Sequence, residues 1–181
     1  KNMGVQYASN IGFEKSSGEF LAFVGDDDVW IDKDKLNKQI NVFLNDKKTD
    51  LGVVTTSVRI LKRHTSYERI IKRPKKLLEH LLSGNDCIYG SAALIRRKAF
   101  IKAGKFDPFL KKGTDSDVFR RIVINGYNVY FIKDITIEYS ELEKIRMSNF
   151  TQTNITRNIE AHLYKLEKYQ KNYDQLTKAK S

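Results

Sequence analysis

Apolar positions recur along this chain with two different periods, and the periods predict its elements. The run Phe20-Leu-Ala-Phe-Val, bounded by Gly18 and Gly25, is continuous rather than alternating, as expected of a short strand buried on both faces. Ahead of it, Asn2 can cap a helix through about Ser16, with Val5, Ala8, Ile11 and Gly12 on one side and Gly18 as the stop. After it, Asp32 or Asp34 can cap a second helix, whose Leu36, Ile40, Phe43 and Leu44 fall at i, i+4, i+7 and i+8. The β-branched stretch Val53 to Ile60 predicts a strand, and the small apolar run Cys87 to Ile95 predicts another, also buried. Between them, Pro74 ends a basic stretch and Leu77, Leu78, Leu81 and Leu82 mark a short helix. Lys98 to Ala103 gives a further short helix stopped by Gly104, and a helix begins at Asp115 and closes at Gly126. Asn128 to Tyr139 alternates as a strand or two. A C-terminal helix is marked by Ile155, Ile159, Leu163, Leu166 and Tyr173, a narrow apolar seam expected to dock on the core. Strands alternating with helices place the chain in the α/β class.

Composition narrows the picture. The chain has 181 residues, 40% of them apolar, enough to bury one substantial core. No stretch approaches a membrane span. Cys87 stands alone, and His64, His80 and His162 have no zinc-finger spacing, which fits a reducing cytoplasm. The formal charge of +11 is uneven: from Arg59 to Lys76 there are eight basic residues against Glu68 alone, so +7 of it lies there. That patch can face an anionic membrane or a lipid-diphosphate acceptor, or it can be a solvated excursion between two strands. No stacking sheet or helix-turn-helix pattern accompanies it, so nucleic acid is not an expected partner.

Two acidic groups carry candidate chemistry. Asp26, Asp27 and Asp28 end the first strand, at the carboxyl side where ligands dock on open α/β sheets. Adjacent carboxylates repel one another, and a cation or a row of donors relieves that repulsion. Such hard oxygens suit Mg²⁺ or Mn²⁺, which are held by one or two carboxylates plus substrate phosphates. The other reading is an acidic turn whose last member caps the next helix. Asp115 follows a glycine-containing loop and can act as a base, while Asp115 and Asp117 together also read as compensation of a helix dipole.

The order of the motifs goes further than either group alone. Asn2-x-Gly4, Ala8-x-Asn10-x-Gly12, Gly18-Glu19-x-x-x-Phe23-x-x-Asp-Asp-Asp28-x-Trp30 and Lys35-Leu36-x-x-Gln39 are followed by Ser91-Ala-Ala-Leu-Ile-Arg-Arg97. Gly104-x-Phe106-Asp107, Thr114-Asp115-x-Asp117-x-x-x-Arg121 and the Arg146-x-Ser148 region complete the series. Together they resemble the family 2 glycosyltransferases of GT-A fold, over nearly all of the chain to about residue 150. The resemblance implies a partial GT-A, Rossmann-like mixed sheet flanked by helices in residues 1–150, with an amphipathic helical extension in residues 151–181.

The resemblance also implies an activity: transfer of a sugar, with inversion, from a nucleotide-diphosphate donor to a hydroxyl of a saccharide or lipid-linked acceptor, in bacterial-type polysaccharide or glycolipid synthesis. Asp26 and Asp28 match the acids that hold the divalent cation and the donor, and Asp27 can share that work. Asp115 matches the aspartate that takes the acceptor proton. Trp30, Asp117, Arg97, Arg121 and Arg146 fall on family-typical positions on the acceptor or diphosphate side. Of these, Trp30 is equally a core residue, Arg121 is expected to buttress the acidic helix, and Arg146 to reach the diphosphate. Gly25, Thr114 and Tyr7 depart from the common Asp, Glu and Arg at their positions, without removing a ligand or the base. The first βαβ portion of such a domain, with the nucleobase pocket, is not in this sequence, so we expect a fragment of the domain, cytoplasmic or peripheral on the inner membrane face. An inert remnant acting as a binding module is the alternative, and a basic nucleic-acid-binding domain, supported only by charge, is a third reading.

Overall fold

The computed structural model describes residues 4–85, 87–110, 112–141 and 152–178. Its order is α1 (Val5–Lys15), β1 (Phe20–Leu21), β2 (Val29–Trp30), α2 (Lys35–Leu44), β3 (Leu51–Leu61), β4 (Ser66–Arg69), α3 (Leu77–Leu82), β5 (Leu94–Arg96), α4 (Arg97–Lys102), α5 (Thr114–Ile124), β6 (Asn128–Ser140) and α6 (Gln152–Lys178). A short 3-10 turn, Gly90–Ala92, precedes β5.

The sheet is mixed and runs β1-β5-β3-β6-β2, with β4 on β3 beyond the end of β5. β3 and β6 are parallel along their length, while the remaining pairs are antiparallel. Because β3 is flanked on both edges and covered on both faces, it reads as an almost unbroken apolar run. Its residues still divide by face. Val53 joins the large core with Phe100, Val118, Phe119 and Ile122, whereas Val54 joins a smaller one with Phe43, Leu51 and Leu94. The same alternation separates Ile95 from Leu94. Thus α4 and α5 cover one face and α2 the other. β1 stands at the end of the sheet and pairs only with β5 among the described residues.

Several expected elements take a different form. The apolar run after Gly18 is a strand only at Phe20 and Leu21, and Val24 is exposed. Residues 87–93 are not a strand, because the 3-10 turn aims Ser91 at the acidic turn and leaves only Leu94–Arg96 in the sheet. Helix α1 buries Gln6 and Phe13 rather than the side carrying Val5, Ala8 and Ile11. Gln6 donates to the Leu110 carbonyl, and Asn10 exchanges hydrogen bonds with the Phe106 backbone, so amides bind this helix to the fold. Helix α2 turns Lys35, Gln39 and Phe43 inward, while Leu44 is exposed. The basic segment is a hairpin rather than a loose excursion: β4 pairs with β3, and Arg59 bonds Glu138 and Glu68.

Helix α6 holds the largest difference. Ile159, Leu163 and Leu166 are each 56% exposed, so of the expected seam only its Tyr173 end docks. The helix binds instead through buried Ala161 and Tyr169, and through polar groups. Asp117 of α5, fully buried, accepts from Tyr169 Oη at 2.5 Å, Arg121 Nε at 2.8 Å and Lys168 Nζ at 3.2 Å. Asp107 accepts from Lys168 at 2.5 Å and Tyr164 at 2.8 Å, and Tyr173 donates to the Leu82 carbonyl. Burial raises the Asp107 carboxyl, and the Lys168 and Tyr164 bonds more than offset it, leaving it below the usual carboxylate range. No helix among the described residues is long and apolar enough to cross a membrane.

Packing is close where β3 begins. A Cβ at Gly52 would lie 2.7 Å from Tyr127 Cβ, 3.0 Å from Ile122 Cγ2 and 3.1 Å from Ala99 Cβ. Gly52→Ala should therefore lower stability by about 1–3 kcal/mol, read as a fall in the urea midpoint. An unchanged midpoint would show that this contact yields without cost.

Candidate active site

The acidic turn is clamped from below by one serine. The Ser91 hydroxyl donates to Asp28 Oδ2 at 2.5 Å and accepts from the Gly25 N–H at 2.9 Å. The Ser91 carbonyl accepts from the Trp30 indole N–H at 3.1 Å. One residue of the 3-10 turn thus fixes the start and end of the acidic turn and the strand after it. Gly25 keeps the space above open: a Cβ there would lie 3.1 Å from both Asp27 Oδ1 and Asp28 Oδ2. Two carboxylates therefore converge over a position without a side chain.

Asp115 comes from the opposite wall. Gly113, with φ +69°, is the N-cap of α5, and Asp115 Oδ1 accepts the Ser116 N–H at 2.9 Å. Asp115 Oδ2 faces Gly90, where a Cβ would lie 3.0 Å away. Gly90 and Ser91 are consecutive, so the same 3-10 turn supports both acids. Asp27, Asp28 and Asp115 line a single cleft of about 320 Å³, shared with Gln6 and Ser9 of α1 and Tyr139 of β6.

The other candidate residues lie elsewhere. Asp26 is exposed and is not among the cleft's lining residues. Trp30 packs against the large core with the Lys35 ammonium 4.2 Å from its ring centroid. Asp117, two residues and about 200° round the helix from Asp115, points into the α6 network described above. Arg121 bonds Asp117 and the carbonyls of Ala103 and Lys105, buttressing the first turns of α5. Arg97 binds the Gly18 carbonyl and Ser16 Oγ and lies over the Phe13 ring at 4.8 Å. Arg146 lies outside the described residues.

Sequence reasoning missed the roles of Ser91, Gly90 and Lys35. The run of small residues Gly90-Ser-Ala-Ala was the available signal, because small side chains permit close approach of other groups. Among the described residues no group of three or more His, Cys, Asp or Glu side chains is arranged to hold a metal ion.

Comparison with known proteins agrees with this architecture. The model of the family described as "Glycosyl transferase family 2" matches residues 1–104, more than half of the chain. The chain belongs to that family. No curated protein matches it. Among solved structures, it is similar to the mannosyltransferase PcManGT from Pyrobaculum calidifontis in complex with GDP-Man and Mn²⁺, at 17% identity and a TM-score of 0.56, covering 93% of this chain and 44% of that one. It is also similar to S. aureus TarS 1–349, at 17% identity and a TM-score of 0.57 over 76% of this chain and 40% of that one. The UDP complex of TarS gives 14% identity, a TM-score of 0.54 and coverage of 77% and 41%. At such identities the likeness shows the fold, a GT-A architecture. The chain spans less than half the length of these structures.

Lys35 gives the site's underside a measurable property. Its ammonium is buried, bonds Gln39 Oε1 at 3.0 Å, and burial lowers its pKa from 10.5 to about 8. Between those values the unfolded chain holds a proton that the folded chain has released, so this group's contribution to stability rises with pH. From pH 7.5 to 9.5 the wild type should gain about 1–2 kcal/mol relative to Lys35→Met in urea titrations. Parallel pH profiles of the two proteins would contradict this.

Proposed function

We propose that the cleft is the site of a glycosyl transfer: a sugar leaves a nucleotide-diphosphate donor and is captured, with inversion, by an acceptor hydroxyl. The observation that carries this reading is that Asp27 and Asp28 share one cleft with Asp115. Transfer with inversion needs charge handling at the leaving group and a base on the side from which the acceptor comes.

The turn Asp26 to Asp28 offers adjacent hard oxygens, and two of its carboxylates converge over Gly25, which fits a divalent cation such as Mn²⁺ or Mg²⁺. When bound, such an ion supplies Lewis-acid stabilisation to the departing diphosphate. The protein's own contribution is positional. Ser91 holds Asp28 by its hydroxyl and Trp30 by its carbonyl, so the acids meet the donor with their geometry already set. Asp115 takes the proton from the acceptor hydroxyl as the new bond forms. Its carboxylate is oriented by the Ser116 N–H, and α5 is held in place by Arg121 and by Asp117.

The GDP-Man and Mn²⁺ named for PcManGT, and the UDP named for TarS, support a nucleotide-sugar donor for this chain too. We assign the acceptor to a saccharide or lipid-linked saccharide of the cell envelope, and the protein to the cytoplasmic side of the membrane. In the basic segment, Arg59, Lys62 and Lys76 already pair with acids, which weakens the case for the basic patch as the sole membrane contact.

In the intact protein, Asp115→Asn should cut transfer by about a thousandfold or more while donor affinity changes less than about threefold. Turnover at the wild-type rate would remove Asp115 as the base.

A further inference from the structure

The outer edge of β6 is open for part of its length. On its inner side β3 pairs with it from Asn128 to Ser140, whereas on its outer side β2 reaches only Ile137 and Glu138. The chain after β2 adds only the Ile31 and Asp32 N–H bonds to the Thr136 carbonyl. Residues 129–133 therefore have no strand neighbour on the outer side among the described residues. The Asn128 N–H bonds the Asp50 carbonyl just ahead of β3. Strand alternation then turns the backbone groups of Tyr130 inward as well, and those of Val129 and Phe131 outward. Arg73 Nη1 donates to the Val129 carbonyl at 2.9 Å. The N–H and C=O of Phe131 stand on the open edge.

The charge beside this edge has one sign. A hollow of about 410 Å³ lies against it, lined by Lys72, Arg73 and Lys133 with Tyr130 and Phe131, and no acidic residue is among its described lining residues. All three cations are exposed, and none forms an ion pair among the described residues. The acids that flank the edge are engaged elsewhere: Asp134 binds Lys38 at 2.6 Å, and Asp50 accepts from Asn128 Nδ2 at 2.8 Å. Alternation places Lys133 on the face of Phe131, which packs on the large core, and Tyr130, 51% exposed, on the α2 face.

An extended chain laid on this edge meets main-chain partners at Phe131 and cations on one face only. Charge decides which chain fits. A second copy of this protein, paired edge to edge about Phe131, would set Lys133 of each copy against Val129 and Arg73 of the other, and like charges so placed repel. An acidic strand meets no such barrier.

We propose that residues 129–133 are a docking edge for an acidic peptide segment of a partner protein, which adds to β6 as a strand and sets carboxylates at every second residue against Lys72 and Lys133. The chain's net charge of +11 favours the encounter. Tyr139, which lines the acidic cleft, lies about 30 Å further along the strand. Docking thus leaves the cleft open, and it does not depend on the transfer reading, because it is measured with no sugar donor present.

The test is titration of the isotope-labelled full chain with a short capped peptide of alternating Glu and Val at constant ionic strength, followed by backbone amide shifts. Saturable shifts centred on Val129, Phe131 and Lys133 are expected, with a dissociation constant on the order of 100 μM. The same peptide N-methylated at every residue keeps its charge but loses its main-chain donors, and should bind about tenfold more weakly or worse. Lys72→Glu/Lys133→Glu changes only exposed side chains; it should weaken the Glu-Val peptide at least as much and admit a Lys-Val peptide that the wild type rejects. Undiminished binding of the N-methylated peptide would show charge attraction without strand addition and overturn the proposal. So would unchanged affinity in the double variant, shifts spread over the whole basic surface, tighter binding of oligothymidylate, or the same shifts arising on self-association of the chain.

Discussion

The Ser91 hydroxyl is the join on which the candidate chemistry depends. It sits between the Gly25 N–H and the Asp28 carboxylate, and its own carbonyl holds the Trp30 indole. A hydrogen bond to an ionised carboxylate is stronger than a neutral one, and here it also sets a direction. The turn that carries Ser91 is anchored in turn from beneath. Gln39 donates to the carbonyls of Val54 and Ala92, so α2, β3 and the 3-10 turn share one buried amide. Lys35 bonds that amide's oxygen and lies over Trp30. The acids at the mouth of the cleft are therefore held by a polar scaffold that penetrates the sheet's α2 side.

A second polar scaffold governs the opposite wall. Asp117 is wholly buried, and Tyr169, Arg121 and Lys168 surround it. Removing these partners would leave an uncompensated buried charge, which is more costly than losing a surface pair. This explains how α6 binds with Ile155, Ile159, Leu163 and Leu166 exposed. The helix is attached by its hydroxyls and ammonium groups, and Asp117 and Asp115 of α5 divide the labour between anchoring and facing the cleft.

Much of this fold was legible in the sequence. The β-branched run of β3, the first-turn acids and glycine stop of α5, and the length of α6 follow from local chemistry, which long elements express clearly. The misses share a cause: in each, a polar side chain does what an apolar one was expected to do. Lys35 and Gln39 occupy the inner face of α2, Gln6 and Asn10 that of α1, and Tyr169 with Lys168 that of α6. Hydrophobic periodicity ranks such residues as solvent-facing, and only their long-range partners reveal otherwise. Residues 87–93 were misread for a related reason, since small apolar residues suit a buried strand and a close-packed turn equally. The acids Asp27, Asp28 and Asp115 were legible as types, while their convergence on one cleft depends on Gly25, Gly90 and Ser91.

Membership of glycosyl transferase family 2 and a GT-A architecture give this convergence its context. The central claim is that the acidic turn is the donor side of a transfer site. Calorimetric titration of the intact protein with UDP- and GDP-sugars, with and without Mn²⁺, tests it most directly. The account predicts saturable binding of one donor that requires the cation and is lost in Asp28→Asn. Binding of that donor unaffected by chelation and by Asp28→Asn, or no binding of any donor, would contradict it.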